Sequence, residues 1–175
     1  MPRLTERFGV TRFDADEQYK QALAYYQKGQ LNDAILAMEK AIELLPKNSE
    51  YYAARGFFYL EDGTNKKALA DFTTALQLYP YEVLAHYGQG VIAYKAKKWA
   101  EAITHFTEAY RADPNRPETL YYLALSQHHN GQNDLALATM QQAITLFAAA
   151  EDKRQADAER WVRQLEKIIA QPPVA

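Results

Sequence analysis

The chain has no cysteine, which excludes a disulfide framework, a thiol nucleophile and a thiolate metal site. It has no uninterrupted apolar run of about 18 residues, the length a membrane helix needs. The opening MPRLTERFGV lacks the apolar core of a secretory signal. Nor is there an excess of positive charge: 20 Lys and Arg stand against 22 Asp and Glu, so the clustered basic face that nucleic acid demands is not expected. These absences lead to the expectation of a soluble, intracellular, cytoplasmic protein. Catalytic equipment is equally sparse. The histidines are His86, His105, His128 and His129. His128 and His129 are neighbours about 100° apart on a helix, so they do not both aim at one metal. Glu101 and His105, four apart, share a helix face, but a single such pair on a helix exterior is common. No Gly-rich phosphate loop follows a strand, and no serine has a base and an orienting acid at a recognisable spacing. The expectation is no enzyme, no metal and no cofactor.

What the chain does have is a period. Ala34, Ala68, Ala102 and Ala136 are spaced 34 apart, and so are Ala41, Ala75, Ala109 and Ala143. Met38, Phe72, Phe106 and Met140 form a third column; Pro46, Pro80 and Pro114 form a fourth. A fixed period of this length marks a helical repeat, in which each unit buries its apolar face only by stacking on the next. The unit is clearest in 49–82, SEYYAARGFFYLEDGTNKKALADFTTALQLYPYE. It reads as two short helices joined by a turn at Gly63, where a residue without Cβ adopts the left-handed conformation at no steric cost. The two alanine columns lie seven apart, two turns along one helix face. The hydrophobic share of 48% suffices for a continuous interior between stacked helices.

These residues resemble the tetratricopeptide repeat, with its small residue, aromatic, alanine, aromatic, alanine and proline at fixed places. The copies fall at 15–48, 49–82, 83–116 and 117–150. Departures are Ala22 and Ala124 for the first glycine, Ala93 and Gln127 for the first aromatic, and Ala148 for the last proline. The resemblance implies an all-α, right-handed superhelical α-solenoid of stacked helix-turn-helix repeats, and a protein-binding scaffold. His86 falls where the family buries a residue against the neighbouring helix.

The remaining chain is read around that frame. Residues 1–14 form an arm, with Pro2 and Gly9 arguing against a regular helix; it is folded over the first helices, frayed, or docked on another molecule. The first helix is expected from about Ala15, capped by Asp14, and the second to be capped by Asn32. Lys97 stands where Gly29, Gly63 and Gly131 stand, so a left-handed turn there would be strained, with Trp99 packing beneath it. Pro117 suits the first position of a helix. Residues 151–170 are expected to form a capping helix whose apolar stripe is Trp161, Val162, Leu165, Ile168 and Ile169, with a turn before it and a tail at 171–175.

In the family the first helix of each repeat lines the concave side. Carried onto this chain, that implies a groove of Tyr19, Leu23, Tyr26, Phe57, Leu60, Leu84, Tyr87, Val91, Tyr94, Tyr121, Tyr122 and Leu125. Asp16, Glu50, Glu61 and Glu118 outnumber Lys20 and Lys95 along it, so the expected partner is another protein with an apolar, neutral-to-basic segment. The chaperone-binding members hold a terminal carboxylate with lysines, asparagines and an arginine. Here those places carry Tyr19, Leu23, Ala54, Leu84 and Gly88, or, one repeat later, Ala53, Phe57, Gly88, Glu118 and Tyr122, so no such clamp is expected. An alternative is a homo-oligomer, with the arm's Arg3, Arg7, Arg12, Leu4, Phe8 and Phe13 seated in a neighbour's groove.

Overall fold

Left-handed turns at a fixed spacing organise the chain. In the computed structural model, which describes residues 4–171 and side chains from Arg12 onward, φ is positive at Gly29, Gly63, Lys97 and Gly131. After each, one amide reaches back five residues: Gln30 to the Tyr25 carbonyl, Thr64 to Tyr59, Lys98 to Ala93 and Gln132 to Gln127, all at 2.9 Å. This closes the helix end by satisfying a carbonyl that lacks a partner within the helix. Glu151, with φ 51, repeats the device, and Asp152 donates to the Phe147 carbonyl at 2.9 Å.

Between the turns, nine helices lie among the described residues, and no strand does. They are α1 (Leu4–Gln27), α2 (Leu31–Leu44), α3 (Ser49–Glu61), α4 (Asn65–Leu78), α5 (Val83–Lys95), α6 (Trp99–Ala112), α7 (Pro117–His129), α8 (Asn133–Ala149) and α9 (Gln155–Ile169). The starts of α2, α4, α6 and α8 are 34 apart, as are those of α3, α5 and α7. The fold is an all-α helical-repeat solenoid. The chain divides into two compact units, through Gly88 and from Gln89, the boundary falling inside α5.

In the first unit α1 packs on α2, α2 on α3 and α3 on α4. The alanine and aromatic columns form its interior: Ala34, Met38, Ala41, Ala68, Phe72 and Ala75 are all fully buried. Phe72 enters the space left by two glycines. A Cβ on Gly56 would lie 2.8 Å from the Phe72 ring, and one on Gly88 would lie 2.1 Å from it, well inside any tolerable contact. A bidentate ion pair sits beside it, with Arg55 Nε and Nη2 donating to Asp71 at 2.7 and 2.8 Å. The Arg55 guanidinium lies 5.8 Å from the Tyr52 ring centroid and 5.9 Å from that of Tyr59.

In the second unit α6 packs on α7, α7 on α8 and α8 on α9. Ala102, Phe106, Ala109, Ala136, Met140, Ala143 and Phe147 are fully buried. Phe106 fills the space at Gly90, where a Cβ would come within 2.7 Å of its ring. On α9, Ala158 and Leu165 are buried; Trp161, Val162 and Ile168 are half-buried, and Ile169 is exposed.

Several sequence expectations are corrected. Residues 4–14 are not an arm outside regular structure but the first turns of α1. Gly9 costs a helix about 1 kcal/mol, which a 24-residue helix absorbs, and Pro2 precedes the first helical residue. Met1 to Arg3 and Pro172 to Ala175 lie outside the described residues. Asp14 is inside α1 and caps nothing. Asn32 is the second residue of α2; Gln30 occupies the N-cap. A cap side chain is found instead on Asn48, whose Oδ1 accepts from the Glu50 amide at 3.0 Å. The last helix begins at Gln155, because the turn at Glu151 and the Asp152 side chain, accepting from the Arg154 amide at 2.9 Å, delay it.

The φ of 59 at Lys97 gives a direct prediction. Lys97→Gly removes a left-handed strain of about 1–2 kcal/mol against an entropic cost of about 0.5–1 kcal/mol. A net gain of up to about 1.5 kcal/mol is expected, read as a higher urea midpoint with an unchanged slope.

Candidate functional site

The expected site residues belong to α1, α3, α5 and α7, and their accessibility divides them. Leu60, Val91 and Leu125 are buried, at 3%, 7% and 5% exposure, and as they stand present nothing to a ligand. Leu23 is exposed, whereas Tyr19, Tyr26, Phe57, Leu84, Tyr87, Tyr94, Tyr121 and Tyr122 are half-buried.

In the first unit the rings are held in place by carboxylates. Tyr19 lies 5.4 Å from the Tyr51 ring and donates from its hydroxyl to Glu50 at 2.9 Å. Tyr51, itself buried, donates to Asp16 at 2.7 Å, and the Ser49 hydroxyl donates to Glu82 at 3.0 Å. Burial, and then these carboxylates, push both tyrosine hydroxyls above their ordinary range. Tyr26 packs against Phe57 at 5.8 Å and Phe58 at 5.2 Å. Among the described residues no Lys or Arg side chain forms an ion pair with Asp16, Glu50 or Glu82.

Burial first, and the Glu50 charge after it, hold the Glu82 carboxyl above its ordinary value. Between the ordinary carboxylate value and the raised one, the folded protein therefore keeps a proton there that the unfolded chain has already released. Stability from this group is present below the ordinary carboxylate value and falls as pH rises through the folded one. Glu82→Gln is expected to raise the melting temperature at neutral pH and to flatten its fall above the carboxylate range, measured by thermal melts across that range.

In the second unit the aromatic residues form a connected belt. Trp99 contacts Tyr94 at 5.3 Å and stacks on His129 at 4.4 Å. Tyr94 contacts Tyr122 at 5.5 Å, and Tyr122 contacts Tyr121 at 5.6 Å. His128 donates from Nδ1 to Asn133 Oδ1, 2.8 Å away, and its ring faces Trp161 at 5.6 Å. Trp161 was read from the sequence only as part of a capping stripe. It also lines a cleft of about 420 Å³ with Tyr121, Asp157, Arg160 and Gln164. The signal was available: residues 157, 160, 161 and 164 follow the i, i+3, i+4, i+7 spacing of one helix face. Glu118, one of the four acids expected along the groove, is paired: Arg154 Nη2 donates to it at 2.7 Å. Among the described residues no three His, Asp or Glu side chains gather as a metal site requires, and no helix is long and apolar enough to cross a membrane.

The family model described as tetratricopeptide repeat matches residues 59–117 and 87–152, and one described as TPR repeat matches 22–63. The chain belongs to the tetratricopeptide repeat family. It is 26% identical over 136 residues to human "Protein SGT1 homolog", covering 77% of this chain but only 35% of that protein. Among solved structures it resembles TTC0263, a thermophilic TPR protein in Thermus thermophilus. That match has a TM-score of 0.70 and 16% identity, over 89% of this chain and 83% of the other. It also resembles the first TPR of Spaghetti (RPAP3) bound to HSP90 peptide SRMEEVD, with a TM-score of 0.63 and 19% identity over 69% of this chain and 95% of that one. Identities this low carry the fold. Tetratricopeptide repeat proteins serve as protein-interaction scaffolds, and the geometry above is that of such a module.

Proposed function

We propose that this chain is a non-catalytic adaptor or assembly factor that holds an apolar, neutral-to-basic protein segment against its inner helices. The observation that carries this is the belt of partly accessible rings in the second unit, Tyr94, Trp99, Tyr121, Tyr122, His128, His129 and Trp161. Large, rigid rings with a polar tip give a partner contact area at small entropic cost. The first unit offers the same kind of surface in Tyr19, Leu23, Tyr26 and Phe57. Its Asp16, Glu50 and Glu82, which lack Lys or Arg partners among the described residues, favour a basic ligand. The clamp positions carry no cation to hold a terminal carboxylate.

The test is selection from a displayed peptide library, followed by affinity measurements on synthetic hits. The parent is compared with Phe57→Glu/Tyr87→Glu in the first unit and Tyr94→Glu/Tyr121→Glu in the second, each checked for helicity. Hits richer in Leu, Phe, Lys and Arg than in Asp and Glu are expected, with one variant weakening them by about a hundredfold, the scale of an interface hot spot. If both variants bind as the parent does, the groove is not the site. A parent that assembles with concentration, and stops when residues 1–13 are removed, would support self-assembly in its place.

A further inference from the structure

The cleft between α7 and α9 has a composition of its own. Tyr121 on α7 and Trp161 on α9 line it, with Asp157, Arg160 and Gln164. The two rings are anchored on opposite neighbours: Tyr121 against Tyr122 and Phe147, Trp161 against His128. Each ring is thus packed against a neighbour other than the one across the cleft. Besides the Tyr121 hydroxyl and the Trp161 indole N–H, its lining side chains carry one carboxylate, one guanidinium and one neutral amide.

We infer that this cleft takes an arginine side chain of the bound segment, its guanidinium placed against Tyr121 and Trp161 and paired with Asp157. The inference rests on the reading that the protein holds a neutral-to-basic segment, and it names the residue that segment presents here. Aromatic faces carry negative potential and attract cations, the guanidinium above all because it is planar and weakly hydrated. Asp157 adds the matching charge and Gln164 a carbonyl acceptor. Arg160 already shows what the carboxylate accepts, since its Nη2 is paired with Asp157 Oδ1. That resident guanidinium is held on an open surface, its side chain 71% exposed, and an exposed pair of this kind resists exchange weakly. Arg160 is therefore a displaceable stand-in. An anion would have to meet both rings and Asp157 unfavourably to gain Arg160 alone.

The probes are N-acetyl-arginine amide, N-acetyl-lysine amide, N-acetyl-glutamine amide and N-acetyl-glutamate amide, titrated into the full chain. The readout is the two indole N–H resonances, because Trp99 and Trp161 are the only tryptophans. The arginine probe is expected to move the Trp161 signal more than the Trp99 signal, and to bind in the order Arg above Lys above Gln above Glu. Asp157→Asn should weaken it by about tenfold, the loss of one charge-assisted contact. Arg160→Ala should tighten it by freeing Asp157, a gain that misfolding does not produce. Tighter binding of the glutamate probe to the parent, or loss of arginine affinity in Arg160→Ala, overturns the inference, as does a Trp161 signal that ignores all four probes. The two readings fail separately. Peptide binding that responds to Tyr94 and Phe57 but not to Asp157 leaves the scaffold and removes the arginine pocket. Arginine binding at Trp161 with no selected peptide does the reverse.

Discussion

Phe72→Ala is expected to destabilise the protein by about 3–5 kcal/mol, the largest effect of any single substitution considered. Its ring is fully buried and fills the volume that Gly56 and Gly88 leave by having no Cβ. Truncation loses the transfer energy of the ring and leaves a cavity that the surrounding structure closes only in part. The converse substitution tests the same fit from the other side. Gly88→Ala places a methyl 2.1 Å from the ring, and the overpacking is expected to cost about 1–3 kcal/mol. In a Gly88→Ala background, Phe72→Leu should be less harmful than in the parent. Urea unfolding of the four proteins gives the coupling energy, and additive losses would show that ring and glycine do not share the space.

Asp71→Ala is the second. Asp71 is 6% exposed and accepts two bonds from Arg55. Removing one partner of a fully buried pair costs about 3–5 kcal/mol, chiefly through the charge left behind. Here the Arg55 side chain is 18% exposed and reaches water in part, so about 2 kcal/mol is expected. Replacing both residues by leucine should cost less than Asp71→Ala alone, because no charge is then stranded. If the double replacement is the worse of the two, the pair contributes more than it spends on desolvation. The guanidinium's position by Tyr52 and Tyr59 would be the reason.

The fold was legible because its determinants are columns. Ala34, Ala68, Ala102 and Ala136 recur where two helix backbones approach, and all four are fully buried; Phe72 and Phe106 recur where the gap between them must be filled. A periodic demand leaves a periodic trace. Helix ends obey local competition instead. Gly9 has the residue type of a breaker but a cost that is small beside the helix around it, and Asp14 and Asn32 have the residue type of caps but lie inside α1 and α2. At Lys97 the sequence implies strain if the turn keeps the geometry of Gly29, Gly63 and Gly131, and the turn does keep it. The candidate site was less legible. Leu60, Val91 and Leu125 are buried although they share repeat positions with the accessible Leu23, Tyr26, Phe57 and Tyr94, and a repeat position alone does not report what its neighbours cover. The Arg55–Asp71 pair left no trace, because the corresponding places in other repeats carry different residues. Trp161 was missed because a residue at the edge of an apolar stripe serves the core and the surface together, and only the stripe was counted.

The hydroxyl and guanidinium links from Tyr19 to Glu50, Ser49 to Glu82, Tyr51 to Asp16 and Arg154 to Glu118 join residues 31 to 36 positions apart. Contacts so near in sequence close short loops, and loop closure is what slows a chain searching for its native topology. A new polypeptide of this kind has a partner for each helix hairpin as soon as the next one emerges. Refolding is then expected to be governed by local pairing events and to be fast for a chain of this size.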